Sequence, residues 1–294
     1  MSGPFFLGID LGGTRIKAGI CDGKARPIDH ASIPTDADHG PEETMNRMAE
    51  LGRRLMGARK AAACGIGVPG PLDLDRRMIL RATNLKGWIK VRVPSGMKRR
   101  LGMPVIMEND ANCAAFGEYQ AGSPCDCLVL YTLGTGIGGG IVIHGKLWVG
   151  ASGAAGELGH MTLDPRGPKC GCGQRGCIEA MASATAVARA YGLPAHEAFA
   201  ALRRGDPRAK RVIDDACDKL GMAVANMIHV LHPDRIVLAG GMAAAGKPLF
   251  DRVRASVRKR VFPVCLEKIR IEPGRLGGDA GWIGAALWAR EKLT

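Results

Sequence analysis

At 294 residues the chain has room for one large or two mid-sized domains around a sizeable core, which excludes a mini-protein held by disulfides. Its 46% hydrophobic and 23% charged residues are the proportions of a folded globular chain, not of a disordered one. Forty-one basic against 28 acidic residues give a net charge of +13, but nine basic residues and no acid fall within 76–107, leaving 32 against 28 elsewhere. That segment holds one aromatic, Trp88, in a chain that is 4% aromatic, so a nucleic-acid partner is not expected; a solvated face, or a field steering an anionic substrate, is.

In chain order, 5–10 reads as an apolar strand, 11–14 as a glycine turn and 15–21 as a returning strand, together a β-hairpin. Helical spacing of Met45, Met48, Leu51, Leu55 and Met56 predicts a core-packed helix over 45–60. A strand over 63–68 runs into Pro69-Gly70-Pro71, and another over 104–107 runs into Glu108-Asn109-Asp110-Ala111-Asn112 at the start of a helix. The opening hairpin recurs 122 positions on: strand 127–133, turn Gly134-Thr135-Gly136, return 137–143, with Leu11, Gly12, Gly23 and Lys24 meeting Leu133, Gly134, Gly145 and Lys146. A helix over 222–231, a buried strand over 235–239 ending in Gly240-Gly241, and a closing helix over 280–292 complete an α/β pattern of two related lobes. The expected lobes are 1–116 with 281–294, and 117–280.

The most apolar stretch, 221–246, is interrupted by Asn226, His229, His232, Pro233, Asp234 and Arg235, so no membrane span is expected. The first ten residues show no basic leading segment or cleavage site, so a cytoplasmic location is expected. The ten cysteines are then thiols or metal ligands.

Gly12-Gly13-Thr14 after Asp10, and Gly134-Thr135-Gly136 after Leu133, are turns poor in Cβ atoms whose backbone N–H groups can approach phosphate oxygens, with Thr14 or Lys17 adding to the cradle. Each alone is equally a tight hairpin, but two in related halves fit a nucleotide's β- and γ-phosphates held from both sides. Neither is a Walker loop or a dinucleotide fingerprint. Asp10 is placed to hold Mg²⁺ through water.

His160, Cys170, Cys172 and Cys177 within eighteen positions suit a tetrahedral, closed and therefore structural Zn²⁺, with Gly171, Gly173 and Gly176 supplying flexibility. The other seven cysteines, Cys125 and Cys127 included, read as core. Zinc would bring Glu157, one turn from His160, toward Glu179, and such carboxylates accept from sugar hydroxyls; charge at a helix N-terminus is an equal reading of Glu179. Asp110 fits a helix N-cap on local grounds, and equally a general base that takes the proton of a hydroxyl attacking a γ-phosphoryl, with Asn109 orienting the substrate.

These motifs resemble the ROK family of repressors and sugar kinases: Asp10 to Thr14 its first phosphate motif, Glu108 to Asn112 its catalytic segment, 133–140 its second phosphate motif. Gly156-Glu157-Leu158-Gly159-His160 with Cys170 to Glu179 is similar to its signature. The resemblance implies a duplicated ribonuclease-H-like, actin/hexokinase-like α/β fold of two lobes with a cleft, closing on ATP and a hexose. It implies phosphorylation of the 6-hydroxyl with Asp110 as base. Asn84, Asn109, Glu157, His160 and Glu179 would contact the sugar, and Gly240-Gly241 would border the adenosine. His160 would serve zinc through one ring nitrogen and the sugar through the other. No winged helix fits ahead of Asp10, which leaves a hexose kinase, with a catalytically silent sugar sensor as the rival. The 83–88 segment, Thr83 to Trp88, looks most like that of the family's glucokinases; N-acetylmannosamine, N-acetylglucosamine and allose kinases share the three-cysteine loop, and the fructokinases do not. Family habit implies a homodimer or homotetramer.

Overall fold

In the computed structural model, which describes residues 4–24, 26–82 and 85–293, the chain divides into two units, each with one five-stranded sheet. One comprises Met1–Gly122, Val149–Ala155 and Gly278–Thr294, the other Ser123–Trp148 and Gly156–Gly277. The boundary expected near Phe116 would cut a helix whose Cys113, Ala115 and Phe116 are fully buried; the division instead comes after that helix ends.

In the first unit, β1 (Phe5–Leu11) is an almost continuous buried run, as a central strand covered on both faces requires. It returns antiparallel into β2 (Arg15–Cys21), with Asp10 opposite Lys17 and Leu11 opposite Ile16. β3 (Pro27–Pro34), not foreseen, is an exposed edge strand whose polar side chains remain in water. α1 (Gly40–Met56) starts before Met45 because Pro41, Glu42 and Glu43 build a favourable first turn, and it stops at Gly57, whose φ is +53°. β4 (Ala61–Val68), β5 (Ile79–Arg81), β6 (Ile89–Val91), α2 (Val93–Leu101), β7 (Val105–Asn109) and α3 (Asp110–Ala121) follow. The sheet order is β3-β2-β1-β4-β7, antiparallel through β1 and parallel from β1 to β7. Leu7, Ile9 and Leu11 join Met45, Met48 and Leu51 of α1 in one apolar cluster. Trp88 is fully buried in that cluster, unavailable for stacking on a base.

In the second unit, β8 (Cys127–Leu133) and β9 (Ile137–Ile143) form the expected hairpin, followed by a short β10 (Lys146–Leu147). Four helices come next: α4 (Ile178–Ala182), α5 (Ala184–Tyr191), α6 (Ala195–Arg203) and α7 (Pro207–Leu231). α7 begins fifteen residues before the expected 222 because Asp206 caps it, accepting from Arg208 N at 2.7 Å and Ala209 N at 3.2 Å, with Pro207 at its first position. β11 (Arg235–Ala239), α8 (Lys247–Arg258), α9 (Pro263–Leu266) and β12 (Arg270–Pro273) complete the unit. Its sheet order, β10-β9-β8-β11-β12, repeats that of the first unit with the same strand directions. Three thiols read as core, Cys125, Cys127 and Cys265, are only half-buried, whereas Cys21, Cys64, Cys113 and Cys217 are buried.

The closing helix α10 (Ala280–Leu293) belongs to the first unit, and a row of glycines seats it there. Gly19, Gly8 and Gly65 are register partners across β2, β1 and β4. A Cβ at Gly19 would overlap the Trp282 ring, one at Gly8 the Trp282 carbonyl, one at Gly65 the Ala285 carbonyl. The missing side chains let α10 lie directly on the sheet and bury Trp282. Gly65→Ala is therefore expected to destabilise by about 3 kcal/mol, a Tm loss of about 5–10 °C in a thermal melt, because helix backbone must move. Gly241→Ala, whose methyl meets open space, should leave the melt unchanged.

Candidate functional site

The parallel strands β1, β4 and β7 end at one edge of the first sheet, the edge where α/β proteins bind ligands. Asp10 pairs with Gly67 of β4, which pairs with Glu108 of β7. A Cβ at Gly67 would be in contact with the Cα of Asp110 at 3.4 Å, so the two candidate aspartates share this edge. Asp10 also lies against the first turn of α10, where a Cβ at Gly281 would collide with its carboxyl. The N-cap of α3 is Asn109, not Asp110: Asn109 Oδ1 accepts from Ala111 N at 3.0 Å and Asn112 N at 3.2 Å. Asp110 occupies the first helical position, accepting from Ala111 N at 2.8 Å. Asn112 is buried, and its Nδ2 donates to Glu108 Oε1.

The first glycine turn is closed by Gly12 N donating to Arg15 O at 3.0 Å. Thr35, fully buried and not anticipated, clamps it from behind: its Oγ1 donates to Gly12 O at 2.7 Å and its N to Thr14 O at 2.9 Å. With those carbonyls occupied, Gly12, Gly13 and Thr14 hold a fixed backbone. Lys17 Nζ donates to Gly278 O at 2.6 Å and faces Asp10 across the hairpin.

Burial raises the Asp10 carboxyl from the usual 3.8 to about 6, against the opposing pull of Lys17. The folded chain thus keeps a proton that the unfolded chain has released, and stability falls as pH rises between 3.8 and about 6. Asp10→Asn is expected to exceed the parent in stability by on the order of 2 kcal/mol at pH ~8 and to match it near pH ~3.5. Urea titrations at both pH values check this; parity at the higher pH would contradict it.

In the second unit, Gly134 N donates to Gly136 O at 3.0 Å, and Thr185 Oγ1 donates to Thr135 O at 2.7 Å, fixing the second turn. Glu179, in the first turn of α4, lies under that turn: its Oε2 accepts from Ile137 N at 2.9 Å and would collide with a Cβ at Gly136. Gly240, with φ +90°, sits against Leu133 so closely that a Cβ would be 2.7 Å from the Leu133 carbonyl oxygen. Gly134, Thr135 and Gly241 line a cavity of about 910 Å³ with Thr185, Phe199 and Met242. Its α5 and α6 wall is not legible in the sequence, because those short helices carry no recognisable motif.

Gly139 and Gly159 let the Gly156–His160 stretch press onto β9, since a Cβ at either would strike Leu158 or the Ile137 carbonyl. Glu157 caps and His160 ends the short 3-10 turn Leu158–His160, and their side chains remain 50% and 35% exposed. Nδ1 of His160 lies 3.6 Å from Cys170 Sγ, while its Nε2 lies 4.0 Å from Glu157 Oε2. Cys172 Sγ and Cys177 Sγ are 3.6 Å apart, and the ligand atoms of all four residues fall within 4.8 Å of one another. A tetrahedral Zn²⁺ with Zn–S of ~2.3 Å requires ligand spacings of about 3.8 Å, so donor set and spacing fit the ion. The Gln174 N–H holds the Cys172 thiol below its usual range, whereas burial pushes the Cys177 thiol up to about 12, so its ionisation needs a compensating cation. Of the three loop glycines, Gly173 and Gly176 are conformationally required, with φ of +96° and +68°, and a Cβ at Gly176 would overlap Asp164 O; Gly171 stands in open space. Asn84 lies outside the described residues.

The repeated sheet order, with a glycine turn after the first strand of each half, defines a protein of the ribonuclease-H-like, actin/hexokinase-like class. The chain belongs to the ROK family, whose model matches residues 6–292. It is 35% identical to a glucokinase of Thermotoga maritima over 98% of both chains. To an N-acetylmannosamine kinase of Salmonella typhi it is 31% identical, over 97% of this chain and 98% of that one. A ROK family glucokinase of Streptomyces griseus, solved with glucose and AMPPNP, superposes with a TM-score of 0.87 at 31% identity, covering 98% of this chain and 99% of that one. Among the described residues no helix is long and apolar enough to cross a membrane.

Proposed function

We propose that the chain is an ATP-dependent hexose kinase that transfers the γ-phosphoryl group of ATP to the 6-hydroxyl of glucose. The observation that carries this reading is Asp110, presented at the C-terminal end of β7 beside Asp10, in a chain whose full-length relatives include glucokinases. Asp110 takes the proton of the attacking hydroxyl. Asn109 spends its Oδ1 on capping and offers its Nδ2 donors to the sugar. Asn84, Glu157, His160 and Glu179 contact the remaining hydroxyls, His160 through the Nε2 that faces away from the cysteines.

The amides of Gly12, Gly13 and Thr14 and of Gly134, Thr135 and Gly136 receive the phosphates, with Lys17 nearby. Gly240 and Gly241 border the adenosine, Gly241 as part of the lining of the 910 Å³ cavity. Asp10 holds Mg²⁺, which neutralises charge on the phosphates. Zn²⁺ on His160, Cys170, Cys172 and Cys177 is structural and fixes the loop that carries Glu179. The enzyme works in the cytoplasm as a homodimer or homotetramer.

ADP release measured across glucose, mannose, fructose, N-acetylmannosamine and N-acetylglucosamine tests the assignment. Glucose is expected to give the highest kcat/KM; preference for an N-acetyl sugar would overturn the glucose assignment and leave the kinase.

A further inference from the structure

Arg76 opens the basic run 76–107, yet it is not part of a solvated face. Its side chain is 15% exposed and pairs with Glu108, which is 2% exposed. Its Nε donates to Glu108 Oε2 at 2.9 Å, its Nη2 to Gly153 O at 3.0 Å and its Nη1 to Asp73 O at 3.3 Å. Glu108 Oε1 in turn accepts from Asn109 N at 2.9 Å and Asn112 Nδ2 at 3.1 Å. The Oδ1 of Asn112 is buried without a partner, so this amide is oriented for Glu108 at a cost of its own.

One ion pair thus ties together three segments of the first unit: the 73–78 turn, the Val149–Ala155 stretch and the β7–α3 junction. The geometry is specific. Asp73 Oδ1 pins the turn, accepting from Arg77 N and Met78 N, both at 2.7 Å. Arg76 adopts φ +55°, a left-handed conformation unfavourable for arginine. Gly153 has φ +79°, and a Cβ there would overlap Arg76 Nη1. Buried ion pairs contribute little net stability, because desolvation offsets the attraction. A planar guanidinium that serves three acceptors at once is, however, a good geometric brace.

We propose that Arg76 and Glu108 are a positioning pair that sets the β7–α3 junction, and with it Asn109 and Asp110, against the Val149–Ala155 stretch. This rests on the reading of Asp110 as the base toward a sugar hydroxyl. Neither residue touches the reacting atoms; they act through the backbone of Asn109 and the start of α3.

Single variants leave a buried charge unpaired, so the informative variant is the double Arg76→Met/Glu108→Gln, which removes both charges. It should melt within a few degrees of the parent, yet show kcat/KM for glucose reduced at least about tenfold, with KM for ATP within about twofold. Arg76→Lys keeps the charge but loses the fork, and should show the same kinetic loss in a folded protein. A merely structural pair predicts that the double variant regains activity along with stability. Parental kcat/KM in the double or lysine variant, or a KM for ATP that rises as much as that for glucose, would overturn the positioning role. A parent that releases no ADP with any sugar would overturn the underlying kinase reading instead.

Discussion

Asp110→Asn is expected to lower glucose-dependent ADP release by about 10²–10⁴-fold while leaving glucose binding measurable. The fold has little reason to respond. Asn109, not Asp110, caps α3, and an asparagine at 110 retains an Oδ1 that can accept from Ala111 N as the aspartate does. The substitution removes one negative charge from the first turn of a helix, worth about 0.3–1 kcal/mol. A large kinetic loss with an almost unchanged melt would therefore report the missing base. Kinetics of the parent and variant, with calorimetry for glucose, separate the outcomes. An Asn variant with parental kcat would end the assignment of Asp110, and a parent that binds glucose without releasing ADP would instead be the silent sensor.

Asp110 also shows how far local sequence carries. Of its two readings, base and cap, the structure removes the cap, because the extended Asn109, with ψ at +144°, takes that position and leaves Asp110 as the first helical residue. The paired hairpins were legible because strand alternation and glycine turns are local, and β8, β9 and β11 run over the expected residues. The 122-residue offset points to two related halves through their hairpins alone; the strand order that the two sheets share extends beyond it, to strands that carry no matching identities.

The rest depended on distant partners. Pro27–Pro34 forms a strand because β2 offers it an edge, not because its exposed polar residues favour one. Gly19, Gly8 and Gly65 look like three strand weakeners until register aligns them under α10. Arg76 reads as one more surface cation until Glu108, 32 positions on, turns it inward. Cysteine clusters at 170, 172 and 177, where ligand spacing constrains it, and is buried as core at Cys21, Cys64, Cys113 and Cys217; Cys125, Cys127 and Cys265 are only half-buried, Cys265 against the core of the second unit.

Cys177→Ser is expected to remove the bound zinc, from about one equivalent per chain to almost none by metal analysis, and to lower kcat/KM for glucose at least about tenfold. Cys177 is fully buried, its Sγ 3.6 Å from Cys172 Sγ, and its backbone opens α4 two residues before Glu179. The loop that carries it has backbone bonds of its own, Cys170 N to Gln174 O at 2.8 Å and Gly176 N to Pro168 O at 2.9 Å, but little apolar packing. Its own apolar cluster comprises Cys170, Cys177 and Ala180, and its turns depend on glycines at positive φ that disfavour the ordered state entropically. Metal binding at such sites is worth on the order of 10 kcal/mol, but most of the second unit packs around a separate core of β8, β9, β11 and the long α7. Loss of zinc should therefore release the loop more than the unit: a moderate fall in Tm with a large fall in activity, as Glu179 loses its fixed place under the Gly134–Gly136 turn. Cys265→Ser, outside the cluster, should keep both metal and activity. Full activity in a chelator-treated, metal-free preparation would show that the four residues pack adequately on their own, and that the loop needs no ion.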